Sequence, residues 1–380
     1  MSVAWGASSP AGVSDVYIAV SRDSGQTFAA PVRANDVPGD ARLTGEQPPQ
    51  VALVPRAGRE PAIVVVWTTK GEKGTRLLQA RSDDGGRSFG RSLPVPGTDA
   101  SGNRGWQAVN VDPSGRVNVV WLDHRELAAD SSMEKMHHEH GAGQKVNGVV
   151  MAQKSKLYFA SLDGSLTPRG ITGGVCYCCK TALASGPGGR IYAAWRHVYQ
   201  GNLRDMAFTL SRDGGRSFAE PVRVSQDQWM LEGCPDDGPS MAVDDSARVH
   251  VVWPTLVPGE KNSDPTIGIF YASSADGSSF SARERIPTEG IPHHPRLVAT
   301  ADGQLVAAWD ESAGGTRRIA IGRGRRDRNG HIAFRRETLS PAEGPSVYPA
   351  IALATDSVIV AWTNGSSATS TIRVVRLPLN

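Results

Sequence analysis

The 380-residue sequence predicts an all-β fold, a β-propeller of four-stranded antiparallel blades, and three observations carry that prediction. A short β-branched run ending in Trp recurs seven times, at Trp5, Trp67, Trp121, Trp195, Trp253, Trp309 and Trp362, with intervals of 62, 54, 74, 58, 56 and 53 residues. A Ser-x-Asp-x-Gly-x-x-Phe segment follows three of these runs. The 42 Gly and 25 Pro, in a chain that is 39% hydrophobic, suit many short strands joined by tight turns. Seven Trp favour seven blades, with six as the alternative, and residues 1–380 read as a single domain.

From the second Trp onward each unit begins with an apolar strand such as residues 107–111. A Gly/Asp/Ser turn follows, here Asp112-Pro113-Ser114-Gly115, and then a second strand ending on the Trp. A third strand, a polar turn and a fourth strand of the type seen at 218–224 complete the unit. The chain opens on what should be a second strand and closes after a third, at 371–377. That pattern implies upstream sequence carrying a secretion signal, and hence a periplasmic or extracellular protein.

The third-to-fourth turn reads Ser-x-Asp-x-Gly-x-x-Phe at 21–28, 82–89 and 211–218, with a degenerate copy at 273–280 in which Ala275 replaces the Asp. Asp accepts local backbone N–H bonds, Gly supplies positive φ, and the aromatic plugs the blade. In these residues the chain resembles the Asp-box (BNR) repeat proteins of the sialidase superfamily, over nearly its whole length. The resemblance implies a propeller whose turns are structural. It also implies, as an alternative function, a sialidase-like exo-glycoside hydrolase with arginines that clamp an acidic sugar, a Tyr nucleophile paired to a Glu, and an Asp acid/base. Tyr348 lies where the family's nucleophile would sit, and Arg196 and Asp123 are the accompanying catalytic candidates. Arg104, Arg125 and Arg296 are further anion contacts. The family's Arg-Ile-Pro segment lies near its start, whereas Arg285-Ile286-Pro287 falls late, in a fourth strand.

In a propeller, residues before each first strand and after each Trp converge on the face opposite these turns, around the channel mouth. Counting back 19 residues from Trp195 and Trp253 lands on Cys176 and Cys234, the same slot in adjacent blades. Cys178 and Cys179 then match Asp236 and Asp237, and the next repeat places His293 and His294 there. The 74-residue interval holds a Met/His-rich insertion, residues 125–154, expected as a loop on the channel face and carrying Met133, Met136, His137, His138 and His140. Asp310 and Glu311 diverge on a strand and are candidates to hold His293 or His294 in one tautomer. His250 reads as a strand residue facing a neighbouring blade, and His331 as solvated.

Thiolate, thioether and imidazole together favour copper, with zinc as the alternative. The expected site is therefore a soft transition-metal centre on Cys176, Cys178, Cys179 and Cys234, joined by His293, His294 and the insertion, with metal-dependent oxidoreduction as its chemistry. On a strand, Cys176 and Cys178 would share one side and Cys179 the other. The competing structural reading is a disulfide, for example Cys176 with Cys234. A small molecule or glycan entering the channel is the second kind of partner, and a non-catalytic glycan- or protein-binding propeller is a further reading. A formal charge of +3 gives no electrostatic footprint for nucleic acid or an anionic membrane, and no apolar run spans a bilayer.

Overall fold

The second strand of each blade shows why the sequence takes this form. Val117–Asp123 (VNVVWLD) is buried at every position, because each sheet is covered on both faces by its neighbours and so reads as a continuous apolar run rather than an alternating one. The structure is a computed structural model that describes residues 1–9, 11–128, 148–231, 235–259, 264–328, 330–341, 344–366 and 369–379. Within it the chain forms a seven-bladed propeller of three- and four-stranded antiparallel sheets. Blades 1 to 7 cover residues 2–33, 50–94, 104–172, 182–223, 240–286, 291–338 and 346–378.

Blades 2 to 6 have four strands each, and blades 1 and 7 have three. Trp5 lies on Ser2–Ser8, the strand equivalent to the Trp-bearing second strand elsewhere. Blade 1 therefore lacks an inner strand among the described residues, and Trp5 is only half-buried. Blade 7 ends on its third strand, Thr371–Pro378.

The apolar core is a ring of clusters between blades rather than one central mass. Trp121 packs with Val64, Val66 and Leu77 of blade 2, and Trp253 with Met206 and Phe208 of blade 4. Trp309 packs with Val252 and Tyr271 of blade 5. Three of the indole N–H groups donate to the residue two positions on, which a strand returns to the same side, whereas Trp67 and Trp362 Nε1 have no partner among the described residues. Trp121 Nε1 donates to Asp123 at 2.9 Å, Trp195 Nε1 to His197 at 3.3 Å, and Trp309 Nε1 to Glu311 at 2.8 Å. Trp253 is followed by Thr255 and donates instead to Asp227 at 2.7 Å.

The recurrent turns share one hydrogen-bond set. Ser211 Oγ donates to Asp213 Oδ1 at 2.8 Å, and Gly215 N donates to Ser211 Oγ at 2.8 Å. Ser217 N donates to the same Asp213 oxygen at 2.9 Å. The copies at Ser21 and Ser82 repeat these bonds. The fourth copy corrects the sequence reading, for its Asp is displaced rather than lost. Ser274 and Asp276 take the two roles one position later, with Gly277 N donating to Ser274 Oγ at 2.9 Å and Ser278 N to Asp276 at 2.8 Å.

Candidate functional site

On the face away from these turns the first strands carry bulges, each with a non-glycine residue in the left-handed region. Trp106 (φ 53°), His294 (φ 54°) and Tyr348 (φ 57°) sit inside the register shifts of the first strands of blades 3, 6 and 7. Asp236 (φ 54°) lies just before blade 5's first strand. A bulge adds one residue and re-aims a side chain that plain alternation would turn into the sheet, and holding such residues at positive φ costs energy that the surroundings must supply. Trp106 lines an inner cavity together with Glu46, Gln107, Lys180, Thr181 and Arg296.

His294 is the centre of a charged network drawn from five blades or the segments leading into them. Its Nδ1 meets Asp310 Oδ1 at 2.5 Å and its Nε2 meets Glu46 Oε1 at 2.8 Å, while its backbone N donates to Asp237 Oδ2 at 2.7 Å. Lys180 Nζ is paired with Glu46 Oε2 and lies 3.5 Å from Asp237 Oδ1. Tyr348 N donates to Asp310 Oδ1 at 3.2 Å, Arg317 Nε is 3.3 Å from Asp310 Oδ2, and the Tyr348 ring lies 4.5 Å from that of His294. Burial opposes the charge on His294, but its bonds to Asp310 and Glu46 outweigh that and raise its pKa. Burial likewise works against the Asp237 carboxylate, and Lys180 and His294 overcome it and hold its pKa down. Acid and base alternate, so the network balances its own charge.

Beside it lies a sulfur cluster. Residues 176–179 form a turn, with Cys179 N donating to Cys176 O at 3.5 Å. The strand alternation expected there is thereby overturned: the turn brings Cys179 Sγ to 2.9 Å from Cys176 Sγ, with Cys178 Sγ 4.0 Å away. The three sulfurs lie within 4.8 Å of one another, a spacing that could hold a metal ion. Cys178 is disulfide-bonded, whereas Cys176 and Cys179 are free thiols, so a disulfide exists but not on Cys176. All three are buried under Ala152 and Val149 of the helix Gly148–Lys154, and against Val198, Trp106 and Tyr177.

Two arginines with no exposed surface flank these sulfurs. Arg204 Nη1 donates to Cys176 Sγ at 3.3 Å, and its Nε and Nη2 have no hydrogen-bond partner among the described residues. Arg196 donates to the carbonyls of Asp237 at 3.3 Å, Arg204 at 3.0 Å and Pro254 at 2.8 Å, and lies over the Trp229 ring. Among the described residues neither arginine has a carboxylate partner. The hydrogen bond from Cys179 lowers the Cys176 pKa to about 7 against the opposing effect of burial, with help from Arg204 and Arg196. Burial and the neighbouring Cys176 push Cys179 well up.

The expected site residues thus divide. Cys176, Cys178 and Cys179 come together, but His293 and His294 do not join them: His294 is consumed by two carboxylates, and His293 Nδ1 lies 3.9 Å from Asp237. Asp310 holds His294, while Glu311 turns to Trp309 and Arg336. Tyr348 stands at the channel mouth. Arg196 is saturated by main-chain carbonyls. Asp123 accepts from Trp121, from Arg104 Nε at 3.1 Å and from Arg125 Nε at 2.8 Å, which makes it a clasp within blade 3. His250 bonds Tyr271 and Asp244, and His331 is solvent-exposed. Cys234, Met133, Met136, His137, His138 and His140 lie outside the described residues. Of the expected insertion, 125–128 and 148–154 are helical. Sequence reasoning missed Glu46, Lys180, Arg204 and Arg317. Lys180 directly follows the cysteines and was the one within reach, whereas Glu46 stands 21 residues before Trp67 and so falls outside the 16-residue frame that aligns Cys179, Asp237 and His293.

No protein-family model and no curated protein sequence matches the chain. Solved structures do. An ulvan lyase of a polysaccharide lyase family, bound to a GlcA(1-4)Rha3S unit, aligns with TM-score 0.58 and 11% identity, covering 99% of this chain and 90% of its own. The likeness is one of fold. A protein of unknown function from Dyadobacter fermentans gives 0.57 at 14% identity over 87% and 94%. The NanB sialidase of Streptococcus pneumoniae, as a K499G mutant, gives 0.54 at 11% over 96% and 74%. No described helix is long and apolar enough to cross a membrane.

Proposed function

We propose that this propeller binds a thiophilic metal ion on Cys176 and Cys179, copper(I) before zinc. The observation that carries the reading is the pair of buried guanidinium groups, Arg204 and Arg196, set against two free thiols with no carboxylate on either arginine among the described residues. A buried cation without an anion costs several kcal/mol, so the site favours thiolates. Two thiolates suit copper(I), which takes soft sulfur donors, whereas structural zinc asks for four protein ligands and Cys178 is already committed to a disulfide. Bound copper would supply one-electron chemistry. The chain's own residues hold the thiolate charge, through Arg204, and exclude water, through Ala152, Val149 and Tyr177. An anaerobic copper(I) titration against a chromophoric chelator tests this: one equivalent per chain is expected, lost in Cys176→Ser/Cys179→Ser and kept in Tyr348→Phe. Equal affinity in wild type and double variant refutes it.

A second reading, sialidase-like hydrolysis of an acidic glycoside, is favoured by Tyr348. Its phenol is half-buried beside Glu46, burial first and that carboxylate next raising its pKa, which is the Tyr–Glu pairing the family resemblance implies. Release of a fluorogenic leaving group from a sialoside, abolished by Tyr348→Phe and indifferent to chelators, would establish it.

A further inference from the structure

We propose that Cys176 and Cys179 form a C-x-x-C dithiol that exchanges internally with the disulfide held by Cys178. The spacing is read from Cys176-Tyr177-Cys178-Cys179, and the turn there supplies the geometry, with the Cys176 sulfur 2.9 Å from Cys179 and 4.0 Å from Cys178. Cys176 and Cys179 are 1% and 2% exposed, so a disulfide on another protein has no approach to them. The disulfide on Cys178 is the one within reach. Arg204 Nη1, 3.3 Å from Cys176 Sγ, stabilises that sulfur as the attacking thiolate.

The exchange runs in two balanced steps. In the first, the Cys176 thiolate attacks Cys178 Sγ, a Cys176–Cys178 bond forms, and the bond from Cys178 to its partner sulfur breaks. The partner leaves as a thiolate and takes the proton that Cys176 gave up. In the second, Cys179, deprotonated as it attacks, forms a bond to Cys176 Sγ and expels Cys178, which is protonated in turn. One disulfide and two thiols are present before and after, so no outside oxidant or reductant is needed. The exchange moves the disulfide from Cys178 onto the two sulfurs that otherwise stand free beside Arg204. It therefore sets whether a dithiolate exists at that position, and it holds for the metal-free protein whether or not copper binds.

The test uses the full chain, stripped of metal by a chelator, held anaerobically at pH 8, quenched in acid, labelled with N-ethylmaleimide and mapped by mass spectrometry without reduction. The peptide containing residues 176–179 is expected in two forms. One is labelled at Cys176 and Cys179 and cross-linked through Cys178; the other is labelled at Cys178 and two hydrogens lighter through an internal Cys176–Cys179 bond. Their ratio should drift to a constant value while total label stays fixed. Arg204→Gln should slow that drift by about tenfold, as loss of thiolate stabilisation predicts. Cys179→Ser, lacking the resolving thiol, should stop at a Cys176–Cys178 bond. Wild-type protein that shows only the first form at every time overturns the proposal without recourse to any variant. Cys179→Ser without the Cys176–Cys178 bond overturns Cys176 as the attacking group. Because the metal is absent throughout, a failed copper titration leaves this result unaffected.

Discussion

The channel mouth and the sulfur cluster are neighbours in the chain, Lys180 belonging to one and Cys179 to the other, yet they solve the same electrostatic problem in opposite ways. At the channel mouth the charges around His294 meet opposite ones: Asp310 with His294 and Arg317, Glu46 with His294 and Lys180. Around the sulfurs, Arg196 and Arg204 find, among the described residues, only carbonyls, an aromatic face and Cys176. A network that balances itself asks for nothing more and reads as a clamp. A buried excess of positive charge beside thiols is poised for anionic sulfur, and that asymmetry directs the functional assignment to the cysteines.

The contrast implies unequal responses to mutation. Asp310→Asn should be the most damaging change, because it removes the buried anion shared by His294 and the half-buried Arg317 and leaves His294 with Glu46 alone; a loss of about 3–5 kcal/mol in urea unfolding is expected. A loss under 1 kcal/mol would show that the network is not a clamp.

The two regions should next separate by pH. His197, just after the strand Arg190–Arg196 and bridged to Val175 beside the cysteines, has its pKa lowered to about 4 from 6.5, by burial first and Arg223 second. A base with a depressed folded pKa contributes stability above its unfolded value and loses it as pH falls, here between 6.5 and 4 and by up to about 3 kcal/mol. His294 has the opposite sign, since its folded pKa is raised: its contribution is complete below the unfolded value and disappears as pH climbs through the folded one. Melting temperature against pH should therefore lose its acid slope in His197→Gln and its alkaline slope in His294→Gln. Identical profiles would remove the distinction.

The mildest of these changes should be Arg204→Met. Cys176 can answer the loss of its cation by taking a proton, a route closed to the carboxylates near neutral pH, so about 1–2 kcal/mol is expected. Thiolate absorbance near 240 nm should titrate at higher pH than in wild type. An unchanged midpoint would mean that Cys179 alone sets the thiolate.

The Trp frame made the blades and their order legible, because Trp121, Trp195, Trp253 and Trp309 each mark a second strand buried on both faces. It also aligned Cys179 with Asp237 and His293; His293 Nδ1 lies 3.9 Å from Asp237, whereas Cys179 turns into the sulfur cluster. What it could not carry was anything set by a change of backbone direction. The turn at 176–179 reverses the strand alternation and pairs Cys176 with Cys179, and the bulges at Trp106, His294 and Tyr348 have no glycine at their left-handed position to announce them. Asp276 does its work one position out of frame. Glu46 reaches His294 across 248 residues of sequence, a contact that no local pattern encodes.

That reach has a consequence for how the molecule assembles. Blade 1 has no described inner strand, and the segment leading into blade 2 passes so near blade 7 that a Cβ on Gly45 would lie 2.1 Å from the Tyr348 ring. Glu46 arrives at His294, and Gly45 at the Tyr348 ring, only when the early and late parts of the chain have met. Contacts of such sequence separation bear the full cost of loop closure and form late. The mouth of the channel is thus a keystone, set last and bearing on every stone beside it.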